Sequence, residues 1–538
     1  MTGGKAVARA LSCERVRFLF ELTGSHILHL YDALRTEKGI RRITIRHENS
    51  AAFMADTVGR LTGEPGVCLV TAGPGATNSL TGVATAYASA SPMIHLSGAT
   101  RPQDQVGPFH GVDDPFFLEK IFKPVTKMST RIDSPSKAPG ILSKSFALSK
   151  TGRKGPVHVS LSPEFQEQVA EVVQYERSKI TPRRATDSQL RRISTMLGDS
   201  KKPVICLGEE AVHLPARDIA FLAEKTSAPV ISSIEALGVF PQNHYLFAGY
   251  FDEYFKHPIS TNVIEDSDCM LILGLRPASA TARFLEKHGP PDKAFLCEEP
   301  IPATSEYPTA KGNINLNTRL LAQSFSSKEQ TDRRNWLHGE RLAAQKYTTN
   351  QIAKWRKNIH PGYAMTALIP FLHDNCILST DVGGSEVWVR DCVTIWHRSR
   401  HLYAGQYGGM GFGLPAGIAS KLLYPNRQVI SIVGDGGLLM SIGELATVAQ
   451  HAVDLKIVVL NDSRYGMIWQ LQRQQFGGRY VSVDLSQVEF ARVAQGFGLK
   501  GVRIEDRSEL PRAYEQILNS KGPGLLDIVI DPEVPYLF

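Results

Sequence analysis

Asp435 and Asn461 stand twenty-six residues apart in a chain of 538, and each follows a short apolar run. Asp435 lies in Gly434-Asp-Gly-Gly437, after Arg427–Val433, and Asn461 opens Asn461-Asp-Ser463, after Leu455–Leu460. A carboxylate, an amide oxygen and the backbone carbonyl of Ser463 are hard oxygen donors of the kind that Mg²⁺ shares with phosphates. Glycines beside the carboxylate let the backbone approach a phosphate and leave N–H groups for it at a helix start. The pattern reads as a cradle for Mg²⁺ and a diphosphate. Gly-Asp-Gly by itself is equally an ordinary strand–turn–helix; the strand, helix, strand and Asn spacing argues for the cradle.

Such a cradle needs two parallel strands with a helix between them, here Leu438–Gln450, because open parallel sheets bind ligands beyond the carboxyl ends of their strands. The same alternation runs along the chain. Val16–Phe20, Arg42–Arg46, Gly66–Thr71, Met93–Ser97 and Val157–Ser160 read as strands, with helices over Glu48–Leu61 and Ala76–Ala90. A second unit begins near Thr186, with buried-type strands Pro203–Leu207, Pro229–Ser232 and Cys269–Leu273; a third begins near Asn358 and includes Ile377–Thr380. The predicted fold class is α/β: three doubly wound parallel-sheet domains over residues 1–165, 186–325 and 355–538. Pro163–Pro182 reads as a charged linker and Ser326–Gln351 as a polar connection.

Composition narrows the classes. Hydrophobic content of 42% and charged content of 21% are globular values. The net charge of +7 is spread out, and Arg183-Arg184 and Arg191-Arg192 lack interleaved aromatics, which argues against nucleic acid and for a solvated face. The seven cysteines form no Cys-x-x-Cys pair, so neither zinc nor structural disulfides are expected. No secretory pattern opens the sequence and no apolar run reaches membrane-spanning length, so a cytoplasmic location is expected.

Gly434-Asp-Gly followed by Asn461 resembles the signature of thiamine-diphosphate-dependent enzymes. A second, independent match is the strand Arg41–His47 with Glu48 and Asn-Ser-Ala-Ala-Phe-Met-Ala after it, then Pro65-Gly-Val-Cys-Leu-Val-Thr-Ala-Gly-Pro-Gly-Ala-Thr-Asn78. These blocks are similar to the acetolactate-synthase-like branch, and the likeness covers nearly the whole chain, weakest in its middle third. It implies a pyrimidine-binding, a central and a diphosphate-binding domain in that order. It also implies an active site between the first domain of one subunit and the third of another, hence a homodimer at least, with a homotetramer expected. By resemblance, Glu48 hydrogen-bonds the cofactor's pyrimidine and activates it. Gly408 and Met410, in the glycine-rich Gly408–Gly417, hold the pyrimidine amine and prop the cofactor in a bent form. Gly384, Ser385, Gly436 and Gly437 meet the diphosphate, with Ser385 replacing a stronger ligand of the acetolactate synthases. Met467 faces the cofactor, and Asp435, Asn461 and Ser463 hold the metal. Tyr465 and Trp469 are candidates for roofing the cleft.

Substrate-facing candidates are His26, in Thr23-Gly-Ser-His-Ile27, and His110, in Phe109-His110; both read equally as satisfied loop residues. Departures from the family matter. The chain has no His-His pair, and Ala72 stands where benzoylformate decarboxylases carry a histidine; both argue against a simple decarboxylase. Leu471 stands where biosynthetic acetolactate synthases carry an acceptor-sizing Trp. Gly274-Leu-Arg-Pro-Ala-Ser-Ala280 keeps only the Gly and Arg276 of their FAD segment, so FAD is not expected. The expected activity is cleavage of a pyruvate-like 2-oxo acid beside its carbonyl, with transfer of the acyl unit to a carbonyl acceptor. Three alternatives stay open: a non-oxidative decarboxylase or 2-hydroxyketone lyase, a catalytically silent cofactor-binding subunit, and a nicotinamide oxidoreductase.

Overall fold

The computed structural model describes residues 1–100, 109–171, 174–251, 258–275, 279–299, 306–325, 352, 355, 358–394 and 400–536. It contains three six-stranded sheets. The first sheet holds β1 (Phe18–Glu21), β2 (Arg41–Thr44), β3 (Gly66–Val70), β4 (Met93–Gly98), β5 (Met128–Ile132) and β6 (Pro156–Leu161), in the order β2-β1-β3-β4-β6-β5. The second holds β7 (Pro203–Leu207), β8 (Val230–Ser233), β9 (Phe247–Phe251), β10 (Cys269–Leu273), β11 (Asp292–Cys297) and β12 (Thr309–Lys311), in the order β12-β11-β10-β7-β8-β9. The third holds β13 (Ile377–Thr380), β14 (Arg400–Leu402), β15 (Val429–Gly434), β16 (Lys456–Asn461), β17 (Lys500–Ile504) and β18 (Gly524–Val529), in the order β14-β13-β15-β16-β18-β17. Neighbours pair in parallel throughout, as the doubly wound expectation requires.

The central strands are apolar end to end because helices cover both faces of a parallel sheet; β3 and β7, for example, are buried at every residue. The first and third domains share one apolar cluster, which joins Phe53, Met54 and Val83 to Phe412, Ile418 and Val433. The helices Glu48–Thr62 and Gly413–Leu423 pack together there, with Phe53 edge-on to Phe412 at 5.3 Å. The central domain has its own apolar clusters on the two faces of its sheet.

Two expected helices are each interrupted. Leu438–Gln450 becomes Asp435–Ser441 and Glu444–Gln450, which break at Gly443. Ala76–Ala90 becomes Pro74–Asn78 and Leu80–Ala88. The break falls at Ser79, whose buried hydroxyl donates to the Ala76 carbonyl and meets His95 Nε2 at 2.7 Å. The expected linker begins with a short helix, Pro163–Glu167, capped by Ser162. The polar connection Ser326–Gln351 lies outside the described residues. Among the described residues no helix is long and apolar enough to cross a membrane, and all seven cysteines are free thiols.

Candidate active site

In the third sheet Gly434 pairs with Leu460, so Asp435 and Asn461 leave adjacent strands at the same level. The chain changes direction between β13 and β15, and a cavity of about 340 Å³ opens beyond their carboxyl ends. Its walls include Gly384, Ser385, Gly408, Met410, Gly436, Gly437 and Met467, all expected at a cofactor. The helices Gly384–Cys392, Asp435–Ser441 and Gly466–Phe476 start on it. The first N–H groups of a helix have no backbone partner within it and carry partial positive charge, which favours an anion; at the second start the Gly436 N–H donates to Asp435 Oδ1 at 2.8 Å. Gly383 begins the first helix at φ +110°, where a side chain would be strained.

Asp381 organises this end of the sheet. It is buried and accepts hydrogen bonds from the N–H groups of Val382 (3.0 Å), Gly411 (2.9 Å) and Gly413 (3.3 Å). It thereby ties the glycine-rich loop to the end of β13. Burial pushes its carboxyl up to about 6 even against those donors. Gly437 must be glycine for this contact, since a Cβ there would stand 2.7 Å from Asp381 Cγ. Sequence reading assigned Asp381 no role; the signal was a lone acid after the apolar strand Ile377–Thr380. The Ser385 hydroxyl donates to the Asp381 carbonyl at 3.1 Å, just beyond the end of β13.

The cradle expected to hold a metal is built from buried oxygen. Burial pushes the carboxyls of Asp435 and Asp462 up, and for Asp435 the neighbouring Asp462 charge adds to it. Two crowded carboxylates beside helix starts suit a divalent cation that shares a diphosphate. Asn461 commits its Nδ2 to the Val488 carbonyl and to Asp527 Oδ1, both at 3.0 Å, which turns its Oδ1 away from those partners. Ser463 adopts φ +54°, and its carbonyl already accepts from Leu485 N at 2.7 Å, leaving one lone pair. Asn461 and Ser463 stand just outside the cavity lining, whereas Asp435 and Asp462 form part of it. Among the described residues no cluster of three His, Cys, Asp or Glu forms a softer metal site. Tyr465 lines the cavity, but Trp469 does not: its buried ring stacks on Tyr480 at 4.8 Å, with Arg464 and Arg473 over it. Leu471 is 39% exposed and also lies outside the lining.

No first-domain residue lines this cavity. Glu48 starts the helix Glu48–Thr62, is buried, and accepts a 3.0 Å hydrogen bond from Asn78 Nδ2. The backbone before it is fixed by the third domain: Glu444 Oε1 accepts from Arg46 N (3.0 Å) and His47 N (3.1 Å). Neither Asn78 nor Glu444 was assigned a role from sequence, where they are far from Glu48. His26 and His110, on different loops, come together with rings 5.2 Å apart and 25° from parallel. Ser25 Oγ lies 3.2 Å from His26 Nδ1. His110 adopts φ +65°, and its buried Nδ1 has no hydrogen-bond partner among the described residues.

Comparison with known proteins agrees with this geometry. Three family descriptions match in order. "Thiamine pyrophosphate enzyme, N-terminal TPP binding domain" covers residues 1–116, the central domain of the same enzymes covers 190–297, and their "C-terminal TPP binding domain" covers 381–528. The chain is 31% identical to a probable acetolactate synthase large subunit of Methanocaldococcus jannaschii, over 99% of this chain and 92% of that protein. The chain belongs to the thiamine-pyrophosphate enzyme family. Within it the chain is acetolactate-synthase-like. It is also 29% identical to the acetolactate synthase isozyme 1 large subunit of Escherichia coli, over 99% of this chain and 94% of that protein. Against the large subunit of Lactococcus lactis it is 30% identical, over 98% and 92%.

The central domain of this thiamine-pyrophosphate enzyme has the strand order of a dinucleotide fold, with its change of direction between β7 and β10. There the two loops bond to each other: Gly208 N donates to Leu273 O at 2.9 Å and Glu210 N to Gly274 O at 2.8 Å. Glu209 is buried and Glu210 partly buried at this point, and desolvation pushes Glu210 up to about 7, with Arg153 of the first domain 2.9 Å away. Beside them a cavity of about 30 Å³ has room for one water. Of the segment Gly274–Ala280 compared with the FAD segment, Arg276–Ala278 lie outside the described residues.

Proposed function

We propose that this chain is a carboligase dependent on thiamine diphosphate and Mg²⁺, which cleaves a pyruvate-like 2-oxo acid beside its carbonyl and passes the acyl unit to a carbonyl acceptor. The observation that carries the reading is the division of the chemistry. The anion-binding cavity with Asp435 is lined by the third domain alone, and the buried acid Glu48 is held on the first. The relatives' printed names, acetolactate synthase large subunit, support it.

Thiamine diphosphate, when bound, supplies a nucleophilic thiazolium carbon and an electron sink. Asp435, Asn461 and the Ser463 carbonyl would hold Mg²⁺, and the backbone N–H groups at Gly384, Ser385, Gly436 and Gly437 would take the diphosphate. Gly408, Met410 and Met467 would shape the pyrimidine side. Glu48 would come from a second copy of the chain, which makes a homodimer the smallest complete unit, with dimers pairing into a homotetramer in the cytoplasm. Flavin takes no part in this reading.

One observation favours a second reading, a decarboxylase or 2-hydroxyketone lyase: the facing rings of His26 and His110 can deliver a proton to a released aldehyde. Product analysis separates the readings. Protein supplied with thiamine diphosphate, Mg²⁺, pyruvate and a panel of carbonyl acceptors should form acetolactate or another ligated product, identified by mass spectrometry. Acetaldehyde alone would select the lyase reading, and bound cofactor without turnover of any 2-oxo acid would select a silent subunit.

A further inference from the structure

The chain's last described residue reaches the cavity. The segment after β18 is strapped to its rim: Gln470 Nε2 donates to the Val534 carbonyl at 2.7 Å, Arg473 Nη1 to the Glu533 carbonyl at 3.2 Å, and Asp531 N to the Ile359 carbonyl at 2.9 Å. This places Tyr536 in the cavity wall, its ring 5.7 Å from that of Trp388. The hydroxyl stands over the first residue of the helix Gly384–Cys392: a Cβ built on Gly384 would lie 3.1 Å from Tyr536 Oη. No hydrogen bond to that hydroxyl exists among the described residues.

A phosphate seated on this helix start would meet backbone N–H groups and one side-chain hydroxyl, that of Ser385. The Ser385 hydroxyl is turned away, to the Asp381 carbonyl. We propose that Tyr536 is the side-chain donor to the phosphate at the start of the Gly384–Cys392 helix, in the place Ser385 leaves. The proposal rests on the thiamine-diphosphate reading above. Burial pushes the phenol up from its ordinary value, so it stays protonated and able to donate. The nearby Glu386 carboxylate is paired with Arg390 at 3.4 Å, which offsets its repulsion of an anion.

The test is affinity, not turnover. Full-length protein is titrated with thiamine diphosphate, and separately with inorganic pyrophosphate, at saturating Mg²⁺, by calorimetry or by quenching of tryptophan fluorescence. Tyr536→Phe keeps the ring on Trp388 and removes only the hydroxyl. It should weaken both ligands by about tenfold, the loss expected for one hydrogen bond to a charged group, with the unligated melting temperature unchanged. Equal affinities in the two proteins overturn the proposal. A loss confined to thiamine diphosphate also overturns it, because the hydroxyl would then serve the organic part. If the wild-type protein does not bind thiamine diphosphate, the functional reading falls and this proposal falls with it; binding by wild type with no effect of Tyr536→Phe removes this proposal alone.

Discussion

The first and third domains share a strand order, β2-β1-β3-β4-β6-β5 matching β14-β13-β15-β16-β18-β17, and they arm equivalent loops differently. The loop after β13 carries Asp381 and Gly383–Ser385, while its counterpart after β1 carries Ser25 and His26. The loop after β15 carries Asp435–Gly437, and its counterpart after β3 carries Gly73–Gly75. Asn461 and Ser463 close β16; the loop after β4 leads to Phe109 and His110. The third domain turns helix starts and two crowded carboxylates toward one cavity. The first carries a buried acid, Glu48, and two imidazoles whose rings face each other. One scaffold therefore sets where the loops emerge, and the residues on them differ in chemistry. On the proposed reading the third-domain end holds an anion, the first-domain end moves a proton, and neither completes a site alone.

The sharpest break of this comparison is Glu48→Gln. It should cut turnover by about 1,000-fold or more, since general acid–base groups contribute on the order of 10²–10⁴, while melting temperature and cofactor affinity hold. Near-normal rates would remove the proton role from the first domain. Asp435→Asn breaks the other half: Mg²⁺-dependent binding of thiamine diphosphate should weaken by about 100-fold, as read by calorimetry, and unchanged binding would place the metal elsewhere.

A feature common to both domains tests them together. His95 and His401, one in each, are buried, and burial pushes both down to about 3; His158 is lowered too. Each meets a hydroxyl: His95 that of Ser79, His158 those of Ser97 and Ser129, His401 that of Thr380. A folded pKa below the unfolded value near 6.5 means that stability is complete above pH 6.5 and is lost as pH falls toward 3. His95 and His401 should each cost about 2 kcal/mol at pH 5. The melting temperature should therefore drop between pH 7 and pH 5, and a flat profile would contradict neutral buried histidines. The smallest effect is expected at Ser385→Ala, with cofactor affinity changed less than about twofold because the hydroxyl bonds the Asp381 carbonyl four residues back. A loss near tenfold would return Ser385 to the diphosphate.

Much of the third domain was legible because its signals are local. Fully buried parallel strands read as unbroken apolar runs, and Asp435 and Asn461 follow two of them at fixed spacing. Glu48 was legible from its own block. Edge strands other than β2 were not: β5 interrupts its apolar residues with Ser129, Thr130 and Arg131, having a neighbour on only one side. The break at Ser79 was hidden because its cause is His95, sixteen residues on. Asn78, Glu444 and Tyr536 act through partners that only the fold brings near, and the turned hydroxyl of Ser385 depends on a rotamer. Trp469 fits the sequence pattern of a roof residue, yet its ring is held by Tyr480 away from the cavity.

The central claim is that one site takes Glu48 from one chain and Asp435 from another. Co-expression of Glu48→Gln with Asp435→Asn, each inactive alone, tests it most directly. In random assembly half of the dimers are hybrids, and each hybrid has one intact site and one doubly damaged site, so activity should recover to about a quarter of wild type. No recovery from co-purified hybrids would mean that both residues serve the same chain's site, and would contradict the account.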